Sequence, residues 1–146
     1  MNKLLPILSI MAIAGGLLSP SPTVAQVLPP AKPAARVQIT EGPALESARG
    51  NWAIIRWTSN NPGGMDEHFG VVHYGTRPDD LSETAKSHIR LNQSHSNTIF
   101  RVSLDGLKPG TTYYYTVGSM GADGKDDGVK STVARFTTSA GQQATQ

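Results

Sequence analysis

Between Val37 and Thr138 the apolar residues arrive in short bursts that alternate with polar ones. Each burst stops at glycine, proline, asparagine or aspartate. No window holds apolar residues at i, i+3, i+4 and i+7, so helices are excluded as the main element and an all-β fold is left. In Trp52–Thr58 the alternation puts Ala53, Ile55 and Trp57 on one face and Ile54 and Arg56 on the other, and the Trp57 face is the predicted core. Val37 and Ile39 open an earlier strand. Phe69–Tyr74 predicts a third, with Val72 and Tyr74 inward, and Ala85–Leu91 a short element. Thr98–Leu104 turns Phe100, Val102 and Leu104 inward, and Thr112–Val117 and Ala134–Thr137 complete the set.

About seven strands parted by turn signals is the pattern of an immunoglobulin-like β-sandwich. The length, 146 residues, suits one small domain with flanks. Zero cysteines exclude disulfides, thiolate metal sites and a cysteine nucleophile, so stability must come from an apolar core. Thirteen Lys and Arg oppose eleven Asp and Glu, a formal charge of +2, and neither sign forms a run. That distribution carries no nucleic-acid footprint.

The ends differ from the middle. Lys3, the apolar stretch Leu4–Leu18, and the small residues Thr23 and Ala25 read as an export signal over residues 1–25, cleaved after Ala25. The apolar stretch is too short to span a bilayer, which takes about 20 residues, and Pro6, Gly15 and Gly16 weaken it further. The expected destination is the periplasm or the medium, with no membrane attachment after cleavage. Residues 26–36, with Pro29, Pro30 and Pro33, read as an extended spacer, and 139–146 as a disordered tail. The domain itself spans 37–138.

The most specific local signal is Leu107-Lys108-Pro109-Gly110-Thr111-Thr112-Tyr113-Tyr114-Tyr115. Pro109 presets φ at the first central position of a turn and Gly110 supplies positive φ at the second. Tyr113 then stands where its ring can join the core while its hydroxyl returns to an upstream backbone group, a tyrosine corner. Tyr115 and Val117 share its face. Tyr114 points away, and the sequence does not decide between packing and ligand binding for it.

Four blocks, Ile55-Arg56-Trp57, Val72-His73-Tyr74-Gly75-Thr76, Phe100 through Tyr115, and Arg135-Phe136-Thr137-Thr138, together resemble the N-terminal domain of purple acid phosphatases. The resemblance implies a fibronectin type III-like sandwich over about Val37–Thr138. Trp57, Tyr74, Pro109, Gly110, Tyr113, Tyr115 and Phe136 are read as structural residues. In that family the chemistry belongs to a following metallophosphatase domain that holds two metal ions. Of its ligand motifs only Asp-x-Gly finds a match, at Asp126-Asp127-Gly128, read here as a chance turn. The resemblance therefore implies the accessory domain without the enzyme, and no cofactor.

Other groupings read as structural. Asp66-Glu67-His68 is expected in a solvated loop. His73 follows His68 by five residues and should face the other way along a strand, so the pair makes a poor metal site. His88 and His95 stand in a polar stretch. Gly121–Gly128 carries three carboxylates but lacks the alternating ligands and terminal Glu of a calcium loop, and is expected as a hairpin loop. Asn92-Gln93-Ser94 fits a glycosylation acceptor. A Gly-x-Ser-x-Gly elbow and phosphate-binding fingerprints are missing. The expected role is a monomeric binding or spacer module, its partner an unidentified protein or glycan or a separate phosphatase. Binding is expected through the loops Asn60–His68 and Gly121–Lys130.

Overall fold

The computed structural model describes residues 15, 16 and 32–141. Nearly all of the export signal, the first half of the spacer and the last five residues of the tail lie outside the described residues.

The chain order is β1 (Ile39–Ala48), β2 (Trp52–Asn60), β3 (Glu67–Gly75), β4 (Glu83–Arg90), β5 (Asn97–Asp105), β6 (Thr112–Gly121), β7 (Asp126–Lys130) and β8 (Ala134–Thr137). One antiparallel sheet has the order β1-β2-β5. The other runs β4-β3-β6-β7, with β8 also paired to β6. Alternation in each strand turns one face of each sheet inward. Ala53, Ile55, Trp57, Phe100, Val102 and Leu104 from the first sheet meet Val72, Tyr113, Tyr115, Val117 and Phe136 from the second. All of these are buried.

Trp57 and Phe100 stack with ring centroids 5.2 Å apart. The opposite sheet makes room for them with Gly70. A Cβ there would stand 3.0 Å from Phe100 and 3.1 Å from Trp57 and Val102, so the largest core ring packs directly against bare backbone.

The strand count is eight where about seven were expected, because the last strand of the sandwich comes in two pieces. β7 pairs with β6 at Gly118 and Met120, and β8 at Thr112–Tyr115. Between them Ser131 leaves the ladder. Its Oγ accepts the Val117 N–H at 2.9 Å, and its own N–H donates to the Val117 carbonyl at 3.0 Å. A side-chain oxygen thus replaces a backbone acceptor where the strand breaks.

Other boundaries also move. β1 runs on to Ala48, with register shifts along its pairing to β2. β3 starts at Glu67 and takes in His68, while β6 continues to Gly121. Asp126-Asp127-Gly128, read as a chance turn, opens β7 instead.

Candidate functional site

The turn before β6 is built as a closed set of hydrogen bonds. Gly110 has φ +59, the left-handed conformation that a tight reversal after Pro109 needs. The Tyr113 hydroxyl accepts the Lys108 N–H at 2.9 Å. Thr138 Oγ1 accepts from the Thr111 N–H at 2.9 Å and donates to the Lys108 carbonyl at 2.6 Å, and the Gly110 N–H donates to the Ser139 carbonyl at 3.0 Å. Tyr113 stacks on Phe136, and Tyr74 meets Tyr113 edge to face at 6.1 Å. Burial, then the carboxylates Glu83 and Asp105, hold the Tyr74 phenol above its usual range, and burial does the same for Tyr115. Of the aromatic residues marked as structural, Tyr74, Tyr113, Tyr115 and Phe136 gather here, while Trp57 stacks on Phe100 in the core. The cavity beside them, lined by Tyr74, Asp80, Glu83, Asp105 and Lys108, carries both charge signs.

At the opposite end of the sandwich the polar groups converge differently from the expectation. His68 is 3% exposed, not solvated, because it continues β3 with its ring toward the interior. His73, five residues on, is exposed on the other face, its Nδ1 3.0 Å from Thr84 Oγ1. Asp127, on the edge strand β7, meets side chains of the adjacent β6 and of β3 beyond it. Ser119 Oγ donates to its Oδ2 at 2.6 Å, and His68 Nε2 stands 3.4 Å from its Oδ1.

This is the one place among the described residues where serine, histidine and carboxylate meet, and the order is wrong for nucleophilic catalysis. The serine proton rests on the carboxylate and the histidine lies on the far side, so no base is aimed at Oγ. Ser119 is also 1% exposed, which keeps a substrate away from it. What the arrangement does is bind β3, β6 and β7 together through buried polar contacts.

A cavity of about 280 Å³ opens beside His68 between Pro33, Pro62, Met65 and Asp123. Its rim is stapled by side-chain amides. Asn60 Oδ1 accepts from the Gln38 N–H and its Nδ2 donates to the Arg36 carbonyl. Asn61 Nδ2 donates to the carbonyls of Asn92 and His95, both at 2.9 Å. The loop after Asn60, expected as a variable binding loop, therefore begins with two residues spent on holding neighbouring segments. In the loop 92–95, Ser94 Oγ donates to Asn92 Oδ1 at 2.6 Å. No group of three or more His, Asp or Glu among the described residues could hold a metal ion, so the donor set does not fit the bimetal centre of phosphatases of this type.

Residues 42–138 match the model of the purple acid phosphatase N-terminal domain. The chain belongs to that family. The match covers every strand from within β1 to β8, including the turn at Pro109-Gly110 and the corner at Tyr113. No curated protein matches the chain. Among solved structures, the sensor domain of the anti-sigma factor RsgI4 in Pseudobacteroides cellulosolvens aligns with a TM-score of 0.52 at 18% identity, over 75% of this chain and 96% of that one. The fn3 domain of human contactin 1 aligns at 0.49 and 16% identity, over 88% of this chain and 98% of that one. Likeness at such identity speaks to fold alone; the two facing antiparallel sheets, β1-β2-β5 and β4-β3-β6-β7, make the fold a fibronectin type III-like sandwich. This purple acid phosphatase N-terminal domain has the sandwich scaffold, and among its described residues no group of three or more His, Asp or Glu could hold a metal ion.

Proposed function

We propose that this purple acid phosphatase N-terminal domain acts as an exported, non-catalytic binding or spacer module. The observation that carries the reading is the wiring of Asp127. Among the described residues, the one serine, histidine and carboxylate that meet have Ser119 Oγ donating to Asp127 and no base aimed at that hydroxyl, so they hold strands together rather than turn over a substrate. Family membership supports it too, since in these enzymes the two metals belong to a separate domain. The test is a phosphatase assay on residues 26–146 with added iron, zinc or manganese, paired with capture from envelope extract against a scrambled-surface control. Silence in the assay with a retained partner is expected. Turnover that a chelator abolishes would overturn the reading, and capture no better than the control would remove binding and leave the spacer.

Export is part of the proposal and rests on Lys3, the apolar stretch and Ala25. N-terminal sequencing of protein from the periplasm or medium is expected to start at Gln26. Family membership also motivates a second reading, docking onto a separately encoded metallophosphatase. Activity that needs both chains would select it.

A further inference from the structure

We propose that the outer face of the β4-β3-β6-β7 sheet is the docking surface, and that its partner is an acidic protein surface. The proposal rests on the binding-module reading and names the partner class for it.

The register sets out the face. Lys86 on β4, Val71 on β3, Gly118 on β6 and Lys130 on β7 stand opposite one another in one row. At the usual strand spacing of about 4.8 Å the two lysine positions are about 14 Å apart. On neighbouring rows His73 lies between Thr84 and Thr116, and Arg135 stands opposite Tyr114.

The centre of this face is sunken and apolar. Val71 is 4% exposed although it points away from the sandwich core. The reason is β7, which rises above the plane. The Val129 carbonyl stands 2.6 Å from where a Gly118 Cβ would be, so β7 forms a wall over a glycine floor. A cavity of about 280 Å³ lies there, its apolar side made by Val71, Met120 and Val129 and its polar side by His73, Asp126 and Lys130. Val133, in the strand break next to it, is 47% exposed.

Charge decides what such a face attracts. Arg90 pairs with Asp66, and His88 with Glu67. Lys86, Lys130 and Arg135 are in no ion pair among the described residues, and Asp126 is the acid left beside them. On the outer face of the other sheet Arg56 pairs with Glu41 and Arg101 with Glu46. One side of the sandwich is thus self-neutralised and the other keeps free cations around an apolar floor. Free cations select an acidic partner, and the floor selects a protein, whose interface can fill it with apolar side chains. A phosphate polymer would instead want a continuous cationic track, and Val71 and Gly118 interrupt this one.

The test titrates the full chain with a twelve-residue peptide of alternating Glu and Leu, followed by amide chemical shifts. An all-Glu peptide and polyphosphate serve as the other probes. The expected result is shifts at Val71, His73 and Thr116–Met120, with binding weakened about tenfold or more in the triple variant Lys86→Glu, Lys130→Glu, Arg135→Glu. The milder Lys86→Gln, Lys130→Gln, Arg135→Gln variant reads the same loss if charge reversal harms folding. Affinity in both variants equal to that of the unaltered chain, tighter binding of all-Glu peptide or polyphosphate, or shifts confined to the Asn60–Gly64 end would overturn the proposal. Envelope capture separates this outcome from failure of the broader reading. A partner kept by both variants removes only the face assignment, whereas no partner for the unaltered chain removes the binding module itself.

Discussion

Single positions in this domain are constrained where another part of the fold closes over a glycine. Gly70 is the case in the core, because a methyl group there meets the side chains of Phe100, Trp57 and Val102 at 3.0–3.1 Å. Gly70→Ala is expected to cost about 1–3 kcal/mol by overpacking, read as a lower denaturant midpoint at unchanged slope. Tyr113→Phe removes the acceptor of the Lys108 N–H while keeping the ring, and is expected to cost about 1 kcal/mol.

Tyr74 and Tyr115 respond to pH. Their folded values lie above the ordinary 10.0, so the native state holds these protons more tightly than the unfolded chain does. Their contribution is whole below pH 10 and is lost as pH rises through the folded values. Phenolate absorbance of the native protein should lag that of the denatured protein and catch up when alkaline unfolding exposes the rings. The corner was legible in the sequence because proline, glycine and tyrosine each act locally there. Gly70 was not, since its reason is a tryptophan on the other sheet.

The last strand shows what limits reading at the level of elements. Asp126-Asp127-Gly128 carries turn residues, and local propensity argues against a strand. Its pairing is imposed from outside, by Ser119 Oγ on one side of Asp127 and His68 on the other. His68 was misplaced for the same reason, since Asp66-Glu67-His68 looks hydrophilic and nothing within it announces the interior. The alternating strands β2 and β5, by contrast, pair residue for residue over their whole length, as periodicity predicted. Ser131→Ala tests the break between β7 and β8. It leaves the buried Val117 N–H without an acceptor and is expected to cost about 1–3 kcal/mol. Faster exchange of the Val117 amide should report it directly.

Across the whole molecule stability rests on one interior shared by both sheets, with no covalent cross-link among 146 residues. Tryptophan fluorescence and far-ultraviolet circular dichroism should therefore trace the same thermal transition. Asp127→Ala should lower that transition as a unit rather than release β7 alone, because it strips partners from β3 and β6 together.

The anchoring of the two ends carries a mechanical meaning. The Ala34 N–H is tied to the Pro62 carbonyl beyond the end of β2, and the Ser139 carbonyl to Gly110 before the start of β6. These ties sit at opposite poles of the sandwich, about 30 Å apart by strand length. Tension drawn along the backbone would load the ladders of β1 and β8 lengthwise, so that many bonds share the force at once, and the domain would behave as a stiff tie rather than a zip.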